Sequence, residues 1–265
     1  MLRAFSTAAT GMMAQQMLVD VIANNLANVN TTGFKRSRVN FEDVLYQTVR
    51  GGSTAPDASD GSGTGDAPIQ IGMGVRVADV QRLHAQGTPE STGRLLDLAI
   101  EGEGFFQVQL PDGTTGYTRD GSFTLSPDGR LTTASGEPVL PEIVVPQDAT
   151  SVSISPAGIV SVAAAGANGE TEVGRLELAR FLNPSGLVAL GGNIYRESPA
   201  SGDPIVGNPQ GPAMGRVMQG TLESSNVEIV QEMTDMIAAQ RAYEINAKAV
   251  RAGEDMMQAT NDLIR

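Results

Sequence analysis

The chain has 265 residues, 40% of them hydrophobic, a formal net charge of −12 and no cysteine. That length can bury a substantial core in one or two domains. The acidity argues against nucleic acid as a partner, since phosphate binding needs a basic face. The missing thiols exclude disulfides and thiolate metal sites.

The charge is uneven. Residues 1–50 carry five basic and three acidic side chains, and residues 221–265 carry four basic and eight acidic. Most of the excess therefore sits in the middle, where many of the 31 glycines and 14 prolines mark turns and hence a large β component. No run of about 18 apolar residues occurs, so no membrane span is expected. Gln15, Gln16 and Asp20 interrupt the apolar residues after Arg3, so no cleavable signal peptide is expected either.

From Met1 a 4-3 spacing picks out Phe5, Ala8, Met12, Gln15, Val19, Ile22, Leu26 and Val29, which predicts a helix with a heptad seam. Thr31-Thr32-Gly33 offers a left-handed cap and a stop near Asn30. Between Ala4 and Phe34 the only charged residue is Asp20. Asn24, Asn25 and Asn28 fall off the seam, where a helix in water would carry charges. Amides there fit contact with other copies of the chain, made without the desolvation cost of buried charge.

Residues 33–71 read as a connecting segment. Within it "GGSTAPDASDGSGTGDAP", residues 51–68, has the composition of an extended arm or linker. Residues 72–221 read as an antiparallel β domain, punctuated by Asp112-Gly113, Asp120-Gly121 and Asp128-Gly129. Ser225-Asn226-Val227-Glu228 reads as a capping box opening a second helix at Asn226. Its seam runs through Ile229, Met233, Met236, Gln240, Tyr243, Ala247, Val250, Glu254 and Met257. The fold class is therefore α+β. Terminal helices (1–32 with 222–265) form a coiled-coil stalk, with the β domain inserted between them and an extended connecting arm.

Catalytic readings are starved of residues. His84 is the only histidine, which leaves no multi-histidine metal site, and a lone histidine is more often an ordinary core or surface residue than a catalyst. Glu101 and Glu103 could pair as glycosidase carboxylates, but a turn before a strand explains them better. "GMGVRV" lacks the third glycine of a dinucleotide fingerprint. No cofactor or metal is expected.

"VIANNLANVNTTGFKRSRVNFEDVLYQ" and "LESSNVEIVQEMTDMIAAQRAYEINAKAV" resemble the amino- and carboxy-terminal signatures of bacterial flagellar rod and hook proteins. "GFFQVQLPDGTTGYTRDGSFTLSPDGRL" is similar to the β domain of the same family, so the resemblance covers nearly the whole chain. It implies a structural subunit in the basal-body rod crossing the periplasm toward the outer membrane. Such a subunit polymerises helically with itself into a hollow shaft that carries torque and passes exported subunits. Implied partners are proximal rod proteins, the hook protein, the surrounding P- and L-ring bushing and the flagellar type III export apparatus. Carried onto this chain, Phe5, Met12, Val19, Ile22, Leu26, Val29, Met233, Met236, Tyr243, Ala247, Val250 and Met257 would pack the inner tube, joined by Asn24, Asn25 and Asn28. The rival class is a secreted β-domain enzyme or carbohydrate binder that oligomerises through coiled coils. It needs an acidic or aromatic cluster that a chain without tryptophan hardly supplies.

Overall fold

A computed structural model describes residues 2–50, 69–164 and 170–263. It contains two long helices, one near each end, and antiparallel strands between them, an α+β architecture. The chain divides into two compact units. One gathers Met1–Asn24, Ser37–Gln81 and Val230–Arg265, and the other gathers Asn25–Arg36 and Arg82–Ile229. The arm expected at 51–68 lies outside the described residues.

The first unit holds most of both helices. Helix α1 runs Leu2–Ala27 and α2 runs Ile229–Leu263. At 1.5 Å per residue, the 35 residues of α2 extend about 52 Å. Two close approaches show them side by side and antiparallel. A Cβ on Gly11 would lie 2.9 Å from the Asn246 amide nitrogen, and one on Gly253 would lie 2.7 Å from the Phe5 ring. The same unit carries two strand pairs, Ser37–Asp43 with Val75–Arg82 and Tyr46–Arg50 with Ile69–Gly72. Asn40 donates to Asp79 across the first pair at 2.6 Å, and Arg76 pairs with Glu42.

Both helix boundaries differ from those expected. Helix α1 ends at Ala27, three residues before Asn30, because the chain tightens at once: the amides of Asn28 and Val29 donate to the carbonyls of Asn25 and Leu26. Gly33 still takes the left-handed conformation, with φ +67°. Helix α2 opens at Ile229, not Asn226, so the capping box does not form. Ser225 Oγ accepts from Val227 N in a local turn, and the Asn226 side chain is used elsewhere. Tertiary hydrogen bonds have won over the local cap.

The second unit is built on a seven-stranded antiparallel sheet. Its order is Val188–Gly191, Ile194–Arg196, Thr115–Thr118, Phe105–Gln109, Leu178–Arg180, Ile205–Gly207, with Val139–Leu140 also paired to Phe105–Gln109. Side chains alternate across it. Phe106, Val108, Leu178 and Ile194 join the larger core, whereas Phe105, Tyr117, Ala179 and Tyr195 join a smaller aromatic cluster on the other face. Both faces are covered, which is why Phe105 and Phe106 are apolar at successive positions and Gln107 and Val108 are buried beside them. A three-stranded meander, Ala149–Ile154, Ile159–Ala164 and Glu170–Arg175, adds Ile154 and Val160 to the larger core.

Two of the three Asp-Gly pairs make tight turns, with Gly113 at φ +82° and Gly129 at φ +78°. The third does not. Asp120 Oδ1 instead accepts from Ser122 N and from the Thr32 hydroxyl, holding the turn after α1 against the sheet.

Candidate functional site

Two features carry functional information, the helical ends and a buried group of charges. On α1 and the turn after it, Phe5, Met12, Val19, Leu26, Asn28 and Val29 are half-buried, Ile22 is buried and Asn24 is exposed. Asn25, which the off-seam pattern turns toward another copy, is 1% exposed, enclosed within the single chain. Asn28 has a local role: its Oδ1 accepts from the Thr31 hydroxyl.

On α2, Met236, Ala247 and Val250 are half-buried, whereas Met233, Tyr243 and Met257 are exposed. Glu232, Ala239, half-buried Asn246 and Gly253 recur at seven-residue intervals on the inward line. Compared with the expected seam, this line replaces Met233, Gln240, Ala247 and Glu254 by the residue before each, and the helix is turned accordingly. Small residues have won the inside because they let α1 approach closely, as Phe5 does at Gly253. The larger apolar side chains are left out. Val230 is 73% exposed, Met233 52% and Ile237 51%, with Ile245 and Met256 also in solvent. Phe41, Tyr46 and Ile71 of the strand pairs are exposed too, as are Leu45 and Met73 in the connections beside them. Exposed apolar side chains in such number along one helix point to contact with a partner.

The charges lie in the second unit, where the chain enters and leaves it. Lys35 is 0% exposed, and its Nζ sits 2.5 Å from Glu223 Oε1 and donates to the Ala85 carbonyl at 2.8 Å. Glu223 Oε1 also accepts from Gly87 N at 2.8 Å, and Oε2 meets Arg119 Nη1 at 3.2 Å. Arg119 donates further to the carbonyl of Gly102 at 2.8 Å and lies over the Phe105 ring. Burial pulls the Lys35 and Arg119 pKa values down, and Glu223 opposes this at both. Beside them Asn226 acts as a stitch: its Oδ1 accepts from Arg36 N at 2.7 Å, and its amide donates to the carbonyls of Leu83 and Ala85 at 2.8 and 3.0 Å. The strand Thr221–Glu223 pairs with Pro89–Ser91, and Gly33 N donates to the Glu223 carbonyl at 2.8 Å. Three stretches remote in sequence are locked around one carboxylate.

His84 borders this node, its ring edge-on to Phe105 and Tyr195. Burial first, then the nearby charges of Lys35, Arg119 and Arg82, lower its pKa to about 4. Glu101 and Glu103 do not form a carboxylate pair. Each meets its own arginine, Arg216 at 2.6 Å and Arg180 at 3.2 Å. Among the described residues no cluster of His, Asp and Glu could hold a metal, and no helix is long and apolar enough to cross a membrane.

The chain matches three family models. They are described as a flagella basal body rod protein over residues 5–35, a flagellar hook protein FlgE/F/G D1 domain over 99–162, and a flagellar basal body rod FlgEFG protein C-terminal over 218–263. It is 48% identical to the flagellar basal-body rod protein FlgG of Borreliella burgdorferi, over all of both chains. It is 46% identical to FlgG of Caulobacter vibrioides over 99% of each chain. To FlgF of that same organism it is 38% identical, over 93% of this chain and 89% of the relative.

Proposed function

Because the chain belongs to the flagellar basal-body rod proteins, we propose that it builds the distal rod by helical self-association through its terminal helices. It is a structural subunit of the rod, not an enzyme, and is located in the flagellar basal body. The higher identity to FlgG than to FlgF within one organism supports the distal rather than a proximal position.

In this reading α1 and α2 pair as an antiparallel coiled-coil stalk, and stalks of neighbouring copies pack into a hollow tube. The tube passes later subunits and carries torque toward the hook. Proximal rod proteins, the hook protein, the P- and L-ring bushing and the type III export apparatus would be its partners.

The exposed apolar side chains of α2 carry this reading. An amphipathic helix that turns small residues toward its own chain and leaves Val230, Met233 and Ile237 outside has a second surface to cover. The exposed Asn24 belongs to the same class of contact.

The test is Met233→Glu with Ile237→Glu, followed by size exclusion and electron microscopy of the purified chain. Both side chains are already in solvent, so the melting temperature of the monomer should stay within about 2 °C of wild type. Assembly into rods should be lost, because each interface would bury two unpaired carboxylates. Rods of normal length from the double variant would overturn the assignment.

A further inference from the structure

The second unit carries an apolar projection and, elsewhere on its surface, an apolar hollow. The projection is Leu182. The strand Leu178–Arg180 ends two residues before it, Phe181 returns to the aromatic cluster, and the short helical turn Pro184–Gly186 follows at once. Leu182 is left 80% exposed, and Ile205 and Val206 of the paired edge strand are exposed as well. Glu103 borders the same recess as Leu182, its side chain 72% exposed, and Asp203 is exposed just before the edge strand. Arg180, paired with Glu103, lies deeper, its side chain 28% exposed.

The hollow measures about 580 Å³ and lies on the side of the larger core, against which its Leu96 and Val152 pack. Its walls come from residues 94–96, from the start of the hairpin that pairs Thr124–Leu125 with Leu131–Thr132, and from the strand Ala149–Ile154. Leu95 and Leu125 line it yet remain exposed. Among the described residues that line it, Arg94 alone is charged. Its side chain is 59% exposed and reaches Asp97 only at 3.5 Å. Projection and hollow are thus both apolar, and the charges at their edges are opposite in sign.

We propose that the hollow receives the Leu182 projection of a second copy of this chain. Leu182 packs against Leu95 and Leu125, and a carboxylate beside it, Glu103 or Asp203, comes to Arg94. Burial of the leucine supplies most of the attraction, whereas the ion pair stays near solvent and sets orientation. The two surfaces share no residue, so one copy can hold a neighbour's projection and offer its own to a third. Such a head-to-tail contact extends without closing, which is what a helical polymer of identical copies requires. The contact is smaller than a stand-alone interface. It therefore acts as a second contact inside an assembly, a role that rests on the self-association proposed above.

The chain has no cysteine, so introduced thiols are the only ones present. Full-length chains carrying Asn183→Cys, beside the projection, and Ser126→Cys, in the hollow, are mixed and treated with a short bis-maleimide. Melting curves confirm that each variant folds. On denaturing gels the mixture should give cross-linked dimers, each variant alone should not, and a chain with both substitutions should give a ladder extending past two copies. Adding Leu182→Asp to the Asn183→Cys chain should lower the dimer yield about tenfold, and its melting temperature should be retained because the leucine is already in solvent. Adding Arg94→Gln to the Ser126→Cys chain should lower it about threefold, the usual worth of an exposed ion pair. A mixture that yields no dimer, a yield indifferent to Leu182→Asp, or a ladder that stops at two would overturn the proposal. Electron microscopy of the same samples separates it from the rod reading. Rods without cross-linking leave the helix-mediated assembly standing and remove the docking, whereas a ladder without rods keeps the docking and removes the rod reading.

Discussion

Glu223 is the residue on which most of the second unit's junction depends. It neutralises Lys35 and Arg119 at once, takes Gly87 N on the same carboxylate, and lends its backbone carbonyl to Gly33. Glu223→Gln keeps the shape but strands two buried cations, a loss of about 3–5 kcal/mol. Denaturant unfolding should show the midpoint falling with an unchanged slope. A loss under about 1 kcal/mol would mean that water already neutralises the node. None of this was legible locally, since Lys35 and Glu223 are 188 residues apart and a charged residue beside an apolar one is ordinary at a surface. His84 adds a pH dependence whose sign follows from its lowered pKa. Unfolded, it takes a proton near pH 6.5; folded, it refuses one until about pH 4. The unfolded state therefore binds more protons between those values, and stability falls as pH drops through that window, by about 3 kcal/mol in total. His84→Phe keeps the edge-on packing against Phe105 and Tyr195 and should lose this part of the acid sensitivity. Melting curves at pH 7 and pH 4.5 for both proteins check it, and equal slopes would remove the histidine from the account.

At the scale of elements, burial is not spread evenly along α2. Among its described side chains only Glu232, Ala239 and Gly253 are buried, and none is buried beyond Gly253. A helical end without burial has only its own propensity to hold it, which is marginal in water. Amide hydrogen exchange in the unassembled chain should therefore be fast over 254–263 and slow over Phe105–Gln109, whose strand is covered on both faces. Equal protection in the two stretches would show that α2 is held by something other than its inward line. The existence of both helices and the β character between them could be read from periodicity and turn residues. The facing of α2 could not. Pattern reading assigns the largest apolar stripe to the nearest partner, and here Met233 and Met257 stay outside while Ala239 and Gly253 go in. A stripe awaiting other copies is indistinguishable in sequence from one already packed. The third Asp-Gly pair departs from the expected turn for a related reason: Asp120 is occupied by Thr32, 88 residues away, and no hairpin is needed there.

For the whole molecule the governing quantity is the net charge of −12 set against exposed apolar helix surface. Association must bring like-charged copies together while burying Val230, Met233 and Ile237, so Coulomb repulsion and the hydrophobic term oppose each other. Between solvent-exposed charges the repulsion is screened over about 10 Å at 0.1 M salt, whereas apolar contacts are not weakened by added salt. Raising sodium chloride should therefore lower the protein concentration at which the chain assembles, as read by light scattering. Sodium sulfate should act more strongly than chloride at equal ionic strength, because it also strengthens apolar burial. The Met233→Glu, Ile237→Glu variant separates the two forces. Salt screens its long-range repulsion as in wild type but cannot supply partners for carboxylates buried at the contact, so it should stay unassembled throughout the series. Assembly of the variant at high salt would show that the α2 face is peripheral and that net charge alone keeps the free subunits apart.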